Sequence, residues 1–314
     1  MVMSSTGAQE TRTAKKAATP PLSGWRIGIS ISESPDMRRL GFGDVHLVDA
    51  MVETARFLLA NGAVIAYGGD LRPGGLTKAL FEIVEAYNRS GRERYKRIEN
   101  FLAWPLYLSH DLPMTVRATW KRSALFHEVP PPPDLRVPRR TFVAADSTEN
   151  RYFRARSLTT MREEMNRYIN ARVLLGGKVT GFHGKYPGIA EEAYLALRDQ
   201  IPLYPAGGFG GCTRAVVDAL LGRRPEEFTD AVQLKNRDYA ALVRAYGDRA
   251  TAPTSSHGVV NYSGLVQFFR EKGFEGLNNG LSKAENKRLS ETIHVPEMIA
   301  LVLKGLRTLD AKKA

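Results

Sequence analysis

The sequence predicts an α/β protein: a Rossmann-like parallel sheet with helices on both faces. Three observations predict it. Short apolar runs of strand length alternate with longer stretches whose apolar residues recur at helical spacing, the pattern of strand–helix units wound into a parallel sheet. Several strand-to-helix junctions carry glycine turns, and from about residue 225 onward the chain reads as helical.

The elements follow in order. Residues 1–23 are small, polar and basic, close on Pro20-Pro21, and read as a disordered tail ahead of one domain spanning 24–314. Residues 25–31 make a buried strand, and residues 32–36 a loop. Asp44 is placed to cap a helix whose stripe of Val45, Val48, Val52, Ala55, Leu58 and Leu59 stops at Asn61-Gly62. A strand over 64–67 leads into Gly68-Gly69-Asp70, and Pro73-Gly74-Gly75 opens a helix over 76–88. After the charged stretch 89–97 comes an apolar segment, 101–108, and then residues 115–126, open between strand and helix. Pro130 to Pro133 predict a stiff surface connector, after which residues 141–145 read as resuming the strand–helix alternation. A helix over 157–169, a strand over 171–175 and the turn Gly176-Gly177 lead to a glycine-rich excursion over 178–186. Pro187-Gly188 opens the next helix; a strand over 201–204, the turn Gly207-Gly208-Phe209-Gly210-Gly211 and a helix over 212–220 follow. The C-terminal region holds helices over 239–246, 262–272 and 296–306, which are expected to pack on the sheet.

Composition narrows the function. The 314 residues, 43% hydrophobic and 25% charged, suit a soluble globular chain, and no apolar run approaches the roughly 20 residues that span a bilayer. The single cysteine, Cys212, excludes an internal disulfide and a cysteine metal cage, and the six histidines show no metal-ligand spacing. No metal and no cofactor are expected, and a cytoplasmic setting is the simplest reading. The net charge of +12 fits a basic nucleic-acid face or a positive field around an anionic small molecule. The basic residues are scattered without interleaved aromatics, which weighs against nucleic acid.

The glycine turns carry the functional reading. A strand–turn–helix junction presents backbone N–H groups and the positive end of a helix dipole, and so holds phosphate without a dedicated lysine. Three such turns on one sheet edge point to a nucleotide-type ligand at Gly68, Gly69, Gly188, Gly207, Gly208, Phe209, Gly210 and Gly211, with Asp70 on a ribose hydroxyl or capping a turn. Glu191 and Glu192 suit a carboxylate beside a ribose; equally, acidic residues in a first turn meet the helix dipole. Neighbours on a helix point about 100° apart, so only one of the two is expected to face a pocket. Arg154, Arg156 and Arg162 are phosphate clamps or a solvated helix face. His183 overhangs a ligand or sits in a mobile loop, and Cys212 is a small packing residue at a helix start.

The runs Met161-Arg162-Glu163-Glu164-Met165-Asn166-Arg167, Asn170-Ala171-Arg172-Val173-Leu174-Leu175-Gly176-Gly177 and Pro187-Gly188-Ile189-Ala190-Glu191-Glu192, with Tyr67-Gly68-Gly69-Asp70, resemble the SLOG superfamily. That superfamily includes the LOG phosphoribohydrolases and the DNA-processing protein DprA. The turn at Gly207 to Gly211 and Asn279-Gly280-Leu281-Ser282 are similar to the bacterial branch related to the SLOG module of TRPM channels. The resemblance spans most of residues 25–306 and implies a Rossmann-like fold and a homo-oligomer. The LOG pattern has an arginine–lysine pair, a loop ending in threonine that holds a 5′-phosphate, and a glutamate; the arginine and glutamate assist cleavage of an N-glycosidic bond. Carried over, Arg162 takes the arginine place, Gly188 lies in the loop, and Glu191 or Glu192 takes the glutamate place. Glu163 stands where the pair has lysine, Ala190 replaces the threonine, and residues 178–186 are inserted before the loop. The resemblance therefore implies a sensor of a nucleotide-derived ligand such as ADP-ribose or NAD, in a stress or antiviral conflict system. The alternatives are a nucleotide N-glycosidase and a DprA-like nucleic-acid module.

Overall fold

In the computed structural model of the protein, residues 20–34, 36–69, 76–89, 97–109, 120–121, 124–250 and 258–312 are described. Among these residues six stretches form strands: β1 Arg26–Ser32, β2 Val64–Tyr67, β3 Ile98–Ala103, β4 Ala124–Val129, β5 Ala171–Gly176 and β6 Leu203–Ala206. They make one sheet in the order β4-β3-β2-β1-β5-β6, and every neighbouring pair is parallel. The helices are α1 Asp44–Ala60, α2 Leu76–Arg89, α3 Thr148–Asn166, α4 Gly188–Arg198, α5 Gly211–Leu220, α6 Asp230–Gln233, α7 Arg237–Ala250, α8 Tyr262–Lys272, α9 Lys283–Glu291 and α10 Val295–Ala311.

Parallel strands need crossover helices, and those helices cover both faces. On one face α1, α2 and α10 bury Leu47, Met51, Phe81 and Val302 against Ile27, Ile29 and Val173 of the sheet. On the other, α3, α4 and α5 bury Met161, Ile189 and Val216 against Phe101 and Leu174. The C-terminal region divides between the faces: α7 packs on α3 and α8 on α5, whereas α10 packs on α1 and α9 on β6. Each fully buried Ile, Leu or Phe contributes roughly 1.5–3 kcal/mol relative to exposure, so the two layers rest on many comparable contacts.

Most expected elements form within a residue or two, and the differences have physical causes. Asp44 is the first helical residue of α1, with Gly43 at the capping position. Pro20 is exposed but Leu22 is fully buried and donates its N–H to the Asn61 carbonyl at 2.8 Å, so the expected tail docks on the domain from residue 20; residues 1–19 lie outside the described residues. Pro131 and Pro132 are buried rather than on the surface. Residues 141–145 form no strand, because β4 already fills the edge of the sheet beside β3. Within 115–126, only Ala124 to Phe126 join a strand, β4, while 115–119 and 122–123 lie outside the described residues. The helix expected over 157–169 begins at Thr148, where the Ser147 hydroxyl accepts the Asn150 N–H. Helix α9 was not expected at all; the Ser282 and Glu285 capping box starts it. Among the described residues no helix is long and apolar enough to cross a membrane.

The turn after β6 shows how tightly the C-terminal region docks. A Cβ added to Gly208 would stand 2.1 Å from the Thr292 carbonyl oxygen, between α9 and α10. Gly208→Ala therefore forces backbone apart and is expected to cost about 1–3 kcal/mol. Urea unfolding measures this: a lowered midpoint is expected, and an unchanged one would show that α9 and α10 do not hold this position.

Candidate functional site

Because all strands are parallel, the turns after β2, β5 and β6 open on one edge of the sheet. From β1 to β4 the chain steps one way; β5 then joins on the other side of β1. In open sheets of this kind, ligands occupy the crevice outside the carboxyl ends of the strands where the order reverses. Here that switch point lies between Ser32 and Gly176, which are paired in register at the ends of β1 and β5. Gly177 follows with φ +107°, and a Cβ there would meet Ile189 Cδ1 at 2.6 Å and Cys212 Cβ at 2.9 Å. Its missing side chain lets the first turns of α4 and α5 converge on the switch point.

The expectation of free amides holds at one of these turns and fails at another. At the start of α5, the Gly211 N–H is held by both oxygens of the Asp36 carboxylate at 3.0 Å. Gly210 N–H donates to the Gly207 carbonyl at 3.0 Å and Cys212 N–H to the Gly177 carbonyl at 2.9 Å. The protein thus supplies its own anion at this helix terminus, where the dipole favours one. Phe209 is a core residue, buried against Phe42, and Gly207 packs under Ser290. At α4 the capping residue is Pro187, which offers no side-chain acceptor. Gly188 and Ile189 N–H make no hydrogen bond among the described residues. Burial pushes the Cys212 thiol far above its ordinary range, which leaves it an inert packing residue.

Beneath the start of α4 lies a ladder of buried charge. Arg162 of α3 donates from Nη1 to Glu191 at 2.6 Å and from Nε to Glu192 at 3.2 Å. Both carboxylates therefore converge on one guanidinium, contrary to the expectation that only one faces inward: long side chains outreach the angular spacing of the helix. The remaining oxygen of Glu191 accepts from the Thr159 hydroxyl. The other oxygen of Glu192 accepts from Ser30 and from Arg172 Nη1, the latter at 2.8 Å. Arg172, fully buried on β5, also donates to Ser30 and to Asn166, each at 2.8 Å. Burial opposes the charge of both arginines. At Arg162, Glu191 and Glu192 outweigh that and raise the pKa; at Arg172, with Glu192 alone, burial prevails and lowers it. Two guanidiniums against two carboxylates leave the ladder neutral, the condition under which buried charge is tolerated.

The third nitrogen of Arg162 looks upward. A Cβ on Gly188 would lie 2.9 Å from Nη2, and one on Gly184 would lie 3.0 Å from Nη1 and 3.1 Å from Glu191 Oε2. The inserted segment 178–186 therefore roofs the Arg162–Glu191 pair. It is fastened by Tyr239, which donates to the Lys185 carbonyl at 2.6 Å, and by Lys185 Nζ, which donates to the Gly258 carbonyl at 2.8 Å. Burial raises the Tyr186 hydroxyl, which accepts the Asn261 N–H at 2.9 Å, to about 12. Burial lowers the Lys185 ammonium, partly offset by Glu191.

The structure thus brings Arg162, Gly188, Glu191 and Glu192 together and places Gly207 to Gly211 across the switch point. Gly68 lies under Met161 at the end of β2, Gly69 accepts from Asn100 at 3.3 Å, and Asp70 lies outside the described residues. Arg156 is turned away, clamping Asp134 at 2.8 and 2.9 Å. Sequence reasoning missed Arg172 and Asp36. A lone arginine inside an apolar strand was the available signal for the first; nothing local marked the second. Among the described residues no group of His, Cys, Asp and Glu can hold a metal ion.

A parallel sheet whose order reverses between β1 and β5, with glycine turns beyond its carboxyl edge, defines a Rossmann-like protein. The chain belongs to the SLOG cluster2 family, which it matches over residues 21–289. No curated protein and no solved structure matches it. Family membership suggests a nucleotide-related function.

The ladder makes a quantitative prediction. Glu192→Gln leaves Arg172 buried without a carboxylate and is expected to cost about 3–5 kcal/mol. Adding Arg172→Met should recover most of it. A double-mutant cycle in urea tests the pair, and additive losses would show that the two residues are not coupled.

Proposed function

We propose that this protein binds a nucleotide-derived ligand of the ADP-ribose or NAD type at the carboxyl edge, and acts as a sensor of it. The observation that carries the reading is the start of α4: the unsatisfied N–H groups of Gly188 and Ile189 and the Nη2 of Arg162 converge beside the switch point. Helix dipole and guanidinium favour the same anion there, and a phosphate suits both. Asp36 at the neighbouring helix makes the second terminus unfavourable for a phosphate and offers acceptors for a ribose hydroxyl instead.

An N-glycosidase is the second reading, favoured by the meeting of Arg162, Glu191 and Glu192. Against turnover, all four carboxylate oxygens are tied into the buried ladder, so a water would have to compete with Arg162, Thr159, Ser30 and Arg172 for them. The two readings part in one experiment. The protein is melted with ADP-ribose, NAD and AMP, and the same mixtures are separated by chromatography. A binder at a hundredfold excess over Kd stabilises the fold by about 2.7 kcal/mol, several degrees in Tm. The expected outcome is a rise with at least one compound and no free base; release of base refutes the sensor, and no rise with any compound refutes the ligand class.

A further inference from the structure

Away from the α4 terminus, a pocket of about 220 Å³ lies between the N-terminal half of α3, the 178–186 segment and the start of α7. None of Arg162, Gly188, Glu191 or Glu192 lines it. Its walls include Arg151, Arg154, Phe182, His183, Asp238 and Tyr239. Phe182 and Tyr239 meet edge to face at 4.8 Å and form a firm apolar side. Arg151 is matched by Asp238 at 3.1 Å, so that pair contributes little net charge.

Arg154 is different. It is half-buried, donates from Nη1 only to a neutral acceptor, the Val143 carbonyl at 3.2 Å, and stands 5.9 Å over the Phe142 ring. No carboxylate pairs with it among the described residues, and burial alone lowers its pKa, with no acid opposing. Partly desolvating a guanidinium without a counter-charge costs free energy that an anion would return. His183 lines the same space. We propose that this pocket is a separate anion subsite in which Arg154 holds a phosphate-type oxyanion through its planar fork. Its volume falls below the roughly 300–1,000 Å³ of pockets for drug-sized ligands, so it accepts a phosphate or pyrophosphate head and little more.

The test titrates the full chain with pyrophosphate in a phosphate-free buffer, by calorimetry and by melting. Arg154→Met keeps an apolar stem of similar length and removes the charge; Arg224→Ala removes an exposed arginine elsewhere as a control for net charge. Wild type and Arg224→Ala should bind alike, and Arg154→Met about tenfold or more weaker. Without pyrophosphate, Arg154→Met should melt no lower than wild type, an outcome a purely structural arginine would not give. Equal binding by Arg154→Met, equal losses in both variants, or no binding by wild type overturns the subsite. ADP-ribose is titrated in parallel: Arg154-dependent pyrophosphate binding without any ADP-ribose response overturns the nucleotide reading alone. A response to ADP-ribose with pyrophosphate binding unchanged in Arg154→Met overturns the subsite alone.

Discussion

The neutral ladder of Glu191, Arg162, Glu192 and Arg172 is the constraint on which the carboxyl edge depends. It ties α4 to α3 through Arg162, and α4 to β1 and β5 through Ser30 and Arg172. Buried ion pairs contribute little net stability compared with apolar packing, but breaking one is costly, so their value lies in fixing one arrangement. Here the arrangement fixed is the height and rotation of the first turn of α4 above the switch point. Asn166 extends the ladder to Asp199 at 2.9 Å, beyond the end of α4, so the helix is held at both ends.

The same geometry separates the roles of the two helix termini. The start of α5 already has a carboxylate from the β1 loop, and its glycines serve close backbone approach: Gly210 admits Asp36, and Gly211, at φ +62°, sits against the Gly177 carbonyl. The start of α4 has only Pro187, a buried sulfur and a guanidinium around it. The edge is therefore not a row of equivalent phosphate turns but one terminus sated by the protein and one that is not. The 178–186 segment closes over the latter, fastened through Lys185 and Tyr239, so access there depends on that segment.

Much of the fold was legible because parallel strands and amphipathic helices write strong periodic patterns: β5 and α8 were read almost to the residue. What failed did so where local composition imitates something else. Residues 141–145 are apolar like a strand, yet partnerless once β4 occupies the edge. The proline run looked like a surface spacer, but Pro131 and Pro132 are buried. At the site, Arg162, Gly188 and the two glutamates were singled out through the resemblance to the SLOG pattern, and the structure brings them together. That both glutamates would be fully engaged was not legible, because it depends on Arg172 and Ser30, which arrive from strands far away in sequence. Asp36 was invisible for the same reason: it meets Gly211 across 175 positions of chain.

The most direct measurement of the central claim is amide hydrogen exchange with and without ADP-ribose. A ligand anion seated at the start of α4 must slow exchange at Gly188 and Ile189, with the neighbouring 176–178 turn following. If ADP-ribose binds and those amides exchange at unchanged rates, the first turn of α4 is not the place where the ligand is held.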